Sequence, residues 1–386
     1  MNVVFLSPHF PPNFQNFCQR LRAAGATVLG LADAHWDSMT TELQHSLSDY
    51  YRVNDMHNYD ELVRALGWFT HKYGKIDRID SQNEYWLETE ARLRTDFNVS
   101  GIRMDAIDRI KRKSEMKSVF QKAGLRPARG RVCRTESEVR SFMAEVGYPV
   151  VAKPDTGVGA ATTYKIANDH DVERYLRDRP SGDYIFEEFI NSQIVTFDGL
   201  TDAHGNLVFS SSLRYSKGVM EAVNEDSDIY YWFVRHIEPQ LKDAGLATLK
   251  AFDVRERFFH FEYFMDKDGD IVPMEVNMRP PGGLTLDMFN FANDFDCYKI
   301  WAEMLVTGKQ DPLPSPKYHV MYVGRKDHIC YSLPRDEIFE RYGKLLIHHE
   351  RIRDVFSLAL GNDGFILRNA ELEPLIEAAE AIQKRA

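Results

Sequence analysis

The chain has 386 residues, 44 % hydrophobic and 27 % charged, with 24 Phe and 18 Tyr. That composition excludes disorder, and the lack of any apolar run near the roughly 20 residues that span a bilayer predicts a soluble globular enzyme with no membrane partner. A formal net charge of -10 argues against nucleic acid as a partner. The opening Met1 to Leu6 is apolar but short, and lacks the basic flank and small-residue cleavage site of a secretion signal. Cys18, Cys133, Cys297 and Cys330 lie far apart without a CxxC pair, so the expectation is a cytoplasmic protein with neither a zinc site nor a disulfide framework.

In chain order, Val3 to Ser7 predicts a first strand, a helical stretch carries Phe14, Phe17, Cys18 and Leu21 towards Gly25, and Thr27 to Leu31 predicts a second strand. A helix over Tyr59 to Tyr73 and a short strand near Ile76 to Asp80 continue the alternation, which predicts a parallel α/β domain over residues 1–105. Lys113 to Ala123 reads as a helix with Met116, Val119 and Phe120 on one face and Gly124 as its stop. Thr135-Glu136-Ser137-Glu138 matches a capping box, and Tyr148 to Lys153 an apolar strand. From there the pattern is mostly strands: Tyr184 to Phe189, Ile194 to Leu200, Leu207 to Leu213, Phe258 to Met265 and Ile271 to Val276, interrupted by a helix over Pro239 to Ala251. This predicts a second unit over 106–310, with a smaller part at about 125–185 and a larger, mainly antiparallel part at about 186–310. Residues 311–386 read as further strands and helices packed on it, the last helix being Glu371 to Lys384.

The strongest constellation is Phe259-His260-Phe261-Glu262-Tyr263-Phe264, a turn, and Met274-Glu275-Val276-Asn277-Met278-Arg279. Two strands joined by a tight turn set Glu262 opposite Glu275, and alternation sends Glu275, Asn277 and Arg279 to one face. Two carboxylates and an amide oxygen suit a hard cation such as magnesium shared with nucleotide phosphates, and the guanidinium suits a phosphoryl group. A surface hairpin with outward acids is the plainer alternative. Asp266-Lys267-Asp268-Gly269-Asp270 reads as the hairpin turn rather than a calcium loop. In Lys153-Pro154-Asp155-Thr156-Gly157-Val158-Gly159, Gly157 and Gly159 let backbone N–H groups approach phosphate, but the lysine precedes the glycines, so this is not a P-loop, and an ordinary turn would look the same.

Taken together, these residues resemble the ATP-grasp superfamily, of the carboxylate-amine ligase type seen in biotin carboxylase and D-alanine ligase, over nearly the whole chain. The resemblance implies an N-terminal parallel α/β domain followed by the ATP-grasp fold. It implies ATP and Mg2+, with Mn2+ as an alternative, as cofactors, and small-molecule carboxylate and amine substrates. Lys113 and Lys153 match its phosphate-binding lysines, and Glu187, Glu188 and Ile190 in Phe186-Glu187-Glu188-Phe189-Ile190 match its adenine-binding hinge. Glu262, Glu275 and Asn277 match its metal ligands and Arg279 its catalytic arginine. The implied activity is formation of an acyl phosphate from a small carboxylate, followed by attack of an amine to form a C–N bond.

The family often follows its hinge with Gly-x-Glu, whose acid holds the ribose, whereas this chain reads Ser192-Gln193-Ile194. Biotin carboxylases continue from the metal strand to a Gln and a Glu, whereas here Arg279 leads into Pro280-Pro281-Gly282-Gly283, which lowers that alternative. A non-catalytic ATP sensor is the remaining alternative. Substrate contacts are expected from Gly282 and Gly283, from Glu84 after the strand near Ile76 to Asp80, and from Arg214 and Lys217, read as lying on a loop. His348 and His349 read as surface residues. A homodimer is compatible with all of this, and the sequence specifies no oligomeric state.

Overall fold

The computed structural model describes residues 1–157, 163–179, 181–218, 222–223, 225–309, 313 and 316–386. The expected phosphate-loop residue Gly159 lies outside the described residues.

The first sheet is parallel, in the order β3-β2-β1-β4, from β1 (Asn2–Leu6), β2 (Thr27–Ala32), β3 (Asp49–Arg52) and β4 (Arg78–Asp80). Its central strands, β1 and β2, are apolar on both faces because both are covered. Val4, Leu6, Leu29 and Leu31 pack with Leu62, Leu66 and Phe69 of the helix Tyr59–Tyr73, while Val3, Phe5 and Val28 pack with Phe17 and Leu21 of the helix Gln15–Ala23. The chain leaves β1 through β2 and β3 and returns to its other side as β4. The carboxyl ends of β1 and β4 therefore flank the point where strand order reverses, the usual ligand crevice of open α/β sheets.

A second, smaller sheet has the order β5-β8-β6-β7, from β5 (Gly130–Val132), β6 (Val150–Pro154), β7 (Tyr164–Ile166) and β8 (Tyr184–Glu188). The helices Glu136–Val146 and Asp169–Arg177 pack on it through Val139, Phe142, Val172 and Tyr175. The capping box is present: Thr135 accepts from the Glu138 N–H, and the Glu138 carboxylate accepts from that of Thr135.

The third sheet is antiparallel, in the order β14-β13-β9-β11-β12-β15-β17-β16 with β10 also on β9. Its strands are β9 (Gln193–Thr201), β10 (Leu207–Ser211), β11 (Leu213–Tyr215), β12 (Tyr230–Phe233), β13 (Phe258–Met265), β14 (Ile271–Asn277), β15 (His319–Arg325), β16 (Leu346–Arg351) and β17 (Asp363–Asn369). The helix Pro239–Phe252 lies close against β9 because Gly245 has no side chain; a Cβ there would stand 2.2 Å from the Phe197 ring.

The expected single strand over Leu207 to Leu213 is broken at Ser212, where the Leu213 N–H turns to the Thr196 hydroxyl at 2.8 Å. His348 and His349 are corrected from surface residues to half-buried members of β16, bonded to Glu350 at 3.0 Å and Asp363 at 2.7 Å. The expectation did not include β3, β12, or the helices Leu87–Asp96, Thr285–Asn293 and Cys297–Thr307.

A buried charge cluster joins the first sheet to the third. Glu90 accepts from Arg94 at 2.7 Å, from Arg257 at 3.2 Å and from the Ser81 hydroxyl. Arg94 also donates to the Ile79 carbonyl at 2.5 and 3.0 Å, and Arg257 to the Met278 carbonyl at 2.5 Å. Removing one partner of such a cluster strands the others in a low-dielectric setting. Arg257→Met should lower stability by about 3–5 kcal/mol in urea unfolding. Arg255→Met, whose Asp253 partner is exposed, should leave the unfolding midpoint unchanged.

Candidate active site

The site is built on a polar stripe across β9, β13 and β14. Registry sets Glu262 opposite both Glu275 and Thr196, and His260 opposite both Asn277 and Asp198, so these six side chains share one face. The other face carries Phe197, Phe259, Phe261, Val276 and Met278, packed with Leu241 and Leu249 of the helix Pro239–Phe252. The hairpin turn closes as expected, with Asp266 accepting from the Asp268 and Asp270 N–H groups at 2.9 Å each. The register slips between Glu262 and Tyr263, and Pro273 sits in β14 because that strand is a sheet edge.

Glu262 and Glu275 thus face each other as the sequence predicts. Arg279 lies just past β14 and donates to Asn277 Oδ1 at 3.4 Å and to the Pro280 carbonyl at 2.8 Å. Lys113 Nζ is 3.5 Å from Glu275 Oε1 and 3.3 Å from the Gly157 carbonyl, so one ammonium links the floor of the site to the start of the glycine loop. Gly157 holds a φ of +144°, which suits a residue without a Cβ.

Glu262 is held by a residue the sequence reading passed over. His260 Nε2 is 3.0 Å from Glu262 Oε1, and its Nδ1 is 2.6 Å from Asp198. Burial works against the imidazolium, but Asp198 and Glu262 outweigh it and push the His260 pKa up to about 9. Burial likewise opposes ionisation of Glu262, yet His260, Arg279 and Lys153 hold its carboxyl below the usual range.

On the opposite wall, Glu187 of β8 pairs with Lys117 at 2.6 Å and Lys153 at 2.7 Å. Burial opposes its ionisation, but the two ammonium groups bring its pKa down to about 2. Lys117 was not singled out from the sequence, although it lies one turn after Lys113 on the same helix, a spacing that aligns side chains. The helix Lys113–Lys122 starts against Asp155, whose carboxylate accepts from the Ser114 N–H at 2.8 Å and its hydroxyl at 3.0 Å. Glu188 turns the other way, to the Arg129 backbone N–H at 2.8 Å and guanidinium at 2.7 Å, and Ile190 is half-buried just past β8.

The expected substrate contacts divide. Glu84 is buried, and the charges that act on it include Arg279 and Glu275. Gly282 and Gly283 form the turn after Arg279, Gly283 at φ +68°. Arg214 is corrected from a loop to strand β11, where it is buried and committed to Glu238 and Ser212 at 2.5 Å each. Lys217 follows β11 and donates to the Ser227 hydroxyl at 2.9 Å.

As a metal site the donors are hard: two carboxylates in register and an amide oxygen. Among the described residues no group of three His, Cys, Asp or Glu side chains is arranged to hold an ion alone. The set therefore fits magnesium that draws its other ligands from phosphate oxygens and water.

No protein-family model matches the chain. The carbamoyl phosphate synthase large chain of Mycobacterium sp. (strain JLS) is 26 % identical over 279 residues, 68 % of this chain and 25 % of the relative. That of Mycobacterium tuberculosis (strain ATCC 25618 / H37Rv) is 27 % identical over 187 residues, 46 % of this chain and 17 % of the relative. The chain thus spans at most about a quarter of the length of these curated relatives. Among solved structures, an L-amino acid ligase from Bacillus licheniformis superposes with a TM-score of 0.74 at 14 % identity, covering 98 % of this chain and 96 % of that one. The N5-carboxyaminoimidazole ribonucleotide synthetase of Thermotoga maritima gives 0.66 at 13 % identity, covering 99 % and 98 %. The biotin carboxylase domain of Hydrogenobacter thermophilus 2-oxoglutarate carboxylase, a dimer crystallised with MgADP and bicarbonate, gives 0.69 at 15 % identity, covering 97 % and 88 %. The chain thus shares its fold, the ATP-grasp fold, with these three ligase and carboxylase structures.

Proposed function

We propose that this protein is a magnesium- and ATP-dependent ligase that activates a small carboxylate as an acyl phosphate for attack by an amine. The observation that carries the reading is the meeting of Glu262, Glu275, Asn277 and Arg279 on one floor, with Lys113 reaching them from the glycine-loop side.

Lys117 and Lys153, gathered on Glu187, supply positive charge where a nucleotide's phosphates would lie, and the backbone at Glu188 to Ile190 would receive adenine. Magnesium, held by Glu262, Glu275 and Asn277, would neutralise phosphate charge and orient the terminal phosphoryl group. A substrate carboxylate would then attack that group, with Arg279 and Lys113 offsetting the charge that builds on the equatorial oxygens. His260 fixes Glu262 in rotation, so this carboxylate needs no reorganisation as charge develops. An amine nitrogen would next displace phosphate from the acyl carbon, forming a C–N bond and releasing ADP and phosphate overall. The substituted positions after Arg279, where Pro280 to Gly283 offer no carboxylate base, favour ligation over a carboxylase reading. Association into a homodimer belongs to the same proposal.

Two measurements test the assignment. Glu275→Gln should lower carboxylate-dependent phosphate release from ATP by at least about 100-fold with an unchanged unfolding midpoint; retained turnover would remove the metal assignment. Lys153→Met should weaken ATP binding, read by calorimetry, by about 10- to 100-fold, since a buried charge-assisted contact to phosphate is lost. An unchanged ATP affinity would place the nucleotide elsewhere.

A further inference from the structure

A hydrogen-bond chain runs through the interior of the third sheet and ends on an expected metal ligand. It starts where the break at Ser212 turns the Leu213 N–H to the Thr196 hydroxyl at 2.8 Å. That hydroxyl donates to Asp198 Oδ2, Asp198 Oδ1 lies 2.6 Å from His260 Nδ1, and His260 Nε2 lies 3.0 Å from Glu262 Oε1. A ring set between two carboxylates donates from both nitrogens, so every link has a fixed direction. Thr196 and Asp198 are 0 % exposed and His260 5 %. The members come from three neighbouring strands, β11, β9 and β13, and the register of those strands sets their spacing.

Beyond holding Glu262 in one orientation, the chain decides how many oxygens this carboxylate can offer. Chelation of a cation by one carboxylate needs both of its oxygens turned towards the ion. Oε1 is turned to His260, which leaves Oε2. Asn277, opposite His260 in the register, adds a single amide oxygen. Calcium gathers roughly six to eight oxygens and readily takes both from one carboxylate, whereas magnesium requires a compact octahedron completed by phosphate and water. A floor that offers oxygens singly suits the smaller ion.

Resting on the metal assignment of the ligase reading, we propose that His260, seated on Asp198, is a positioning residue that keeps Glu262 a one-oxygen ligand and so makes the site select magnesium over calcium. The selection is set outside the ligand set, by Thr196 and Asp198 on β9 and by the strand break that supplies the Leu213 N–H. Without the brace, Glu262 is free to turn both oxygens to a larger ion.

The test reads metal binding without turnover. Mn2+ is added to the protein in the presence of ADP and followed by electron paramagnetic resonance, and Mg2+ or Ca2+ is then added to displace it. In the wild type, half-displacement should need at least about 10-fold more Ca2+ than Mg2+, the lower end of what an outer partner of a metal ligand contributes to affinity. Asp198→Asn combined with His260→Leu removes the brace without stranding a buried charge. It should weaken Mg2+ by about 10- to 100-fold and Ca2+ by less than about threefold, so that the preference is lost. Thr196→Val cuts the chain one link earlier with little change of shape and should lower the preference by at least about threefold. An unchanged preference in the double variant, or in Thr196→Val where the double variant does not fold, overturns the proposal. So does an equal weakening of both ions, which would mark a loss of packing alone. If the wild type with ADP holds no Mn2+, the metal assignment falls and the proposal falls with it; Mn2+ binding that Mg2+ and Ca2+ displace equally well removes the proposal alone.

Discussion

Arg257, at the entry to β13, holds the Met278 carbonyl with one nitrogen and the Glu90 carboxylate with another. Met278 lies between Asn277 and Arg279, so this guanidinium ties the backbone of the candidate site's floor to the helix that follows β4. The rest of the site depends on that distance. The cluster holds because Arg94 and Arg257 share the carboxylate of Glu90, with Asp80 3.8 Å from each, and because the Ile79 and Met278 carbonyls accept from Arg94 and Arg257 in turn. A buried, hydrogen-bonded charge cluster of this kind specifies one arrangement of the two sheets, more than it adds net stability.

The smaller sheet is joined to the floor by lysine contacts. Glu187 holds Lys117 and Lys153 together, and Lys113 spans Gly157 and Glu275. Burial lowers the Lys117 pKa even against Glu187, whereas Lys153, buried too, is raised by Glu187 and Glu275 together. Additional negative charge between these lysines would favour their protonated forms further. Asp155 caps the Lys113–Lys122 helix from the end of β6.

Much of this was legible in the chain. The hairpin was readable because its period-2 alternation puts acids on one face and Phe259, Phe261 and Val276 on the other, and because a Gly-containing turn fixes the register within a short span. The helix Tyr59–Tyr73 and the Thr135 capping box were readable for the same reason: their signals are local. The Asp198–His260–Glu262 chain was not, because Asp198 reaches His260 from a strand 62 residues away, and only sheet order makes them neighbours. Arg214 misled because a basic residue after an apolar run looks exposed, whereas Ser212 breaks the strand and Glu238 buries the charge. The interdomain role of Arg257 was equally silent: nothing near it in sequence announces Glu90.

The central claim is that oxygen passes from the substrate carboxylate to phosphate through an acyl phosphate. It is tested most directly by supplying the accepted carboxylic acid labelled with 18O in its carboxyl group and analysing the products by mass spectrometry. The account predicts ADP as the nucleotide product and one 18O atom in each released phosphate. Unlabelled phosphate, or AMP with pyrophosphate in place of ADP, would contradict it.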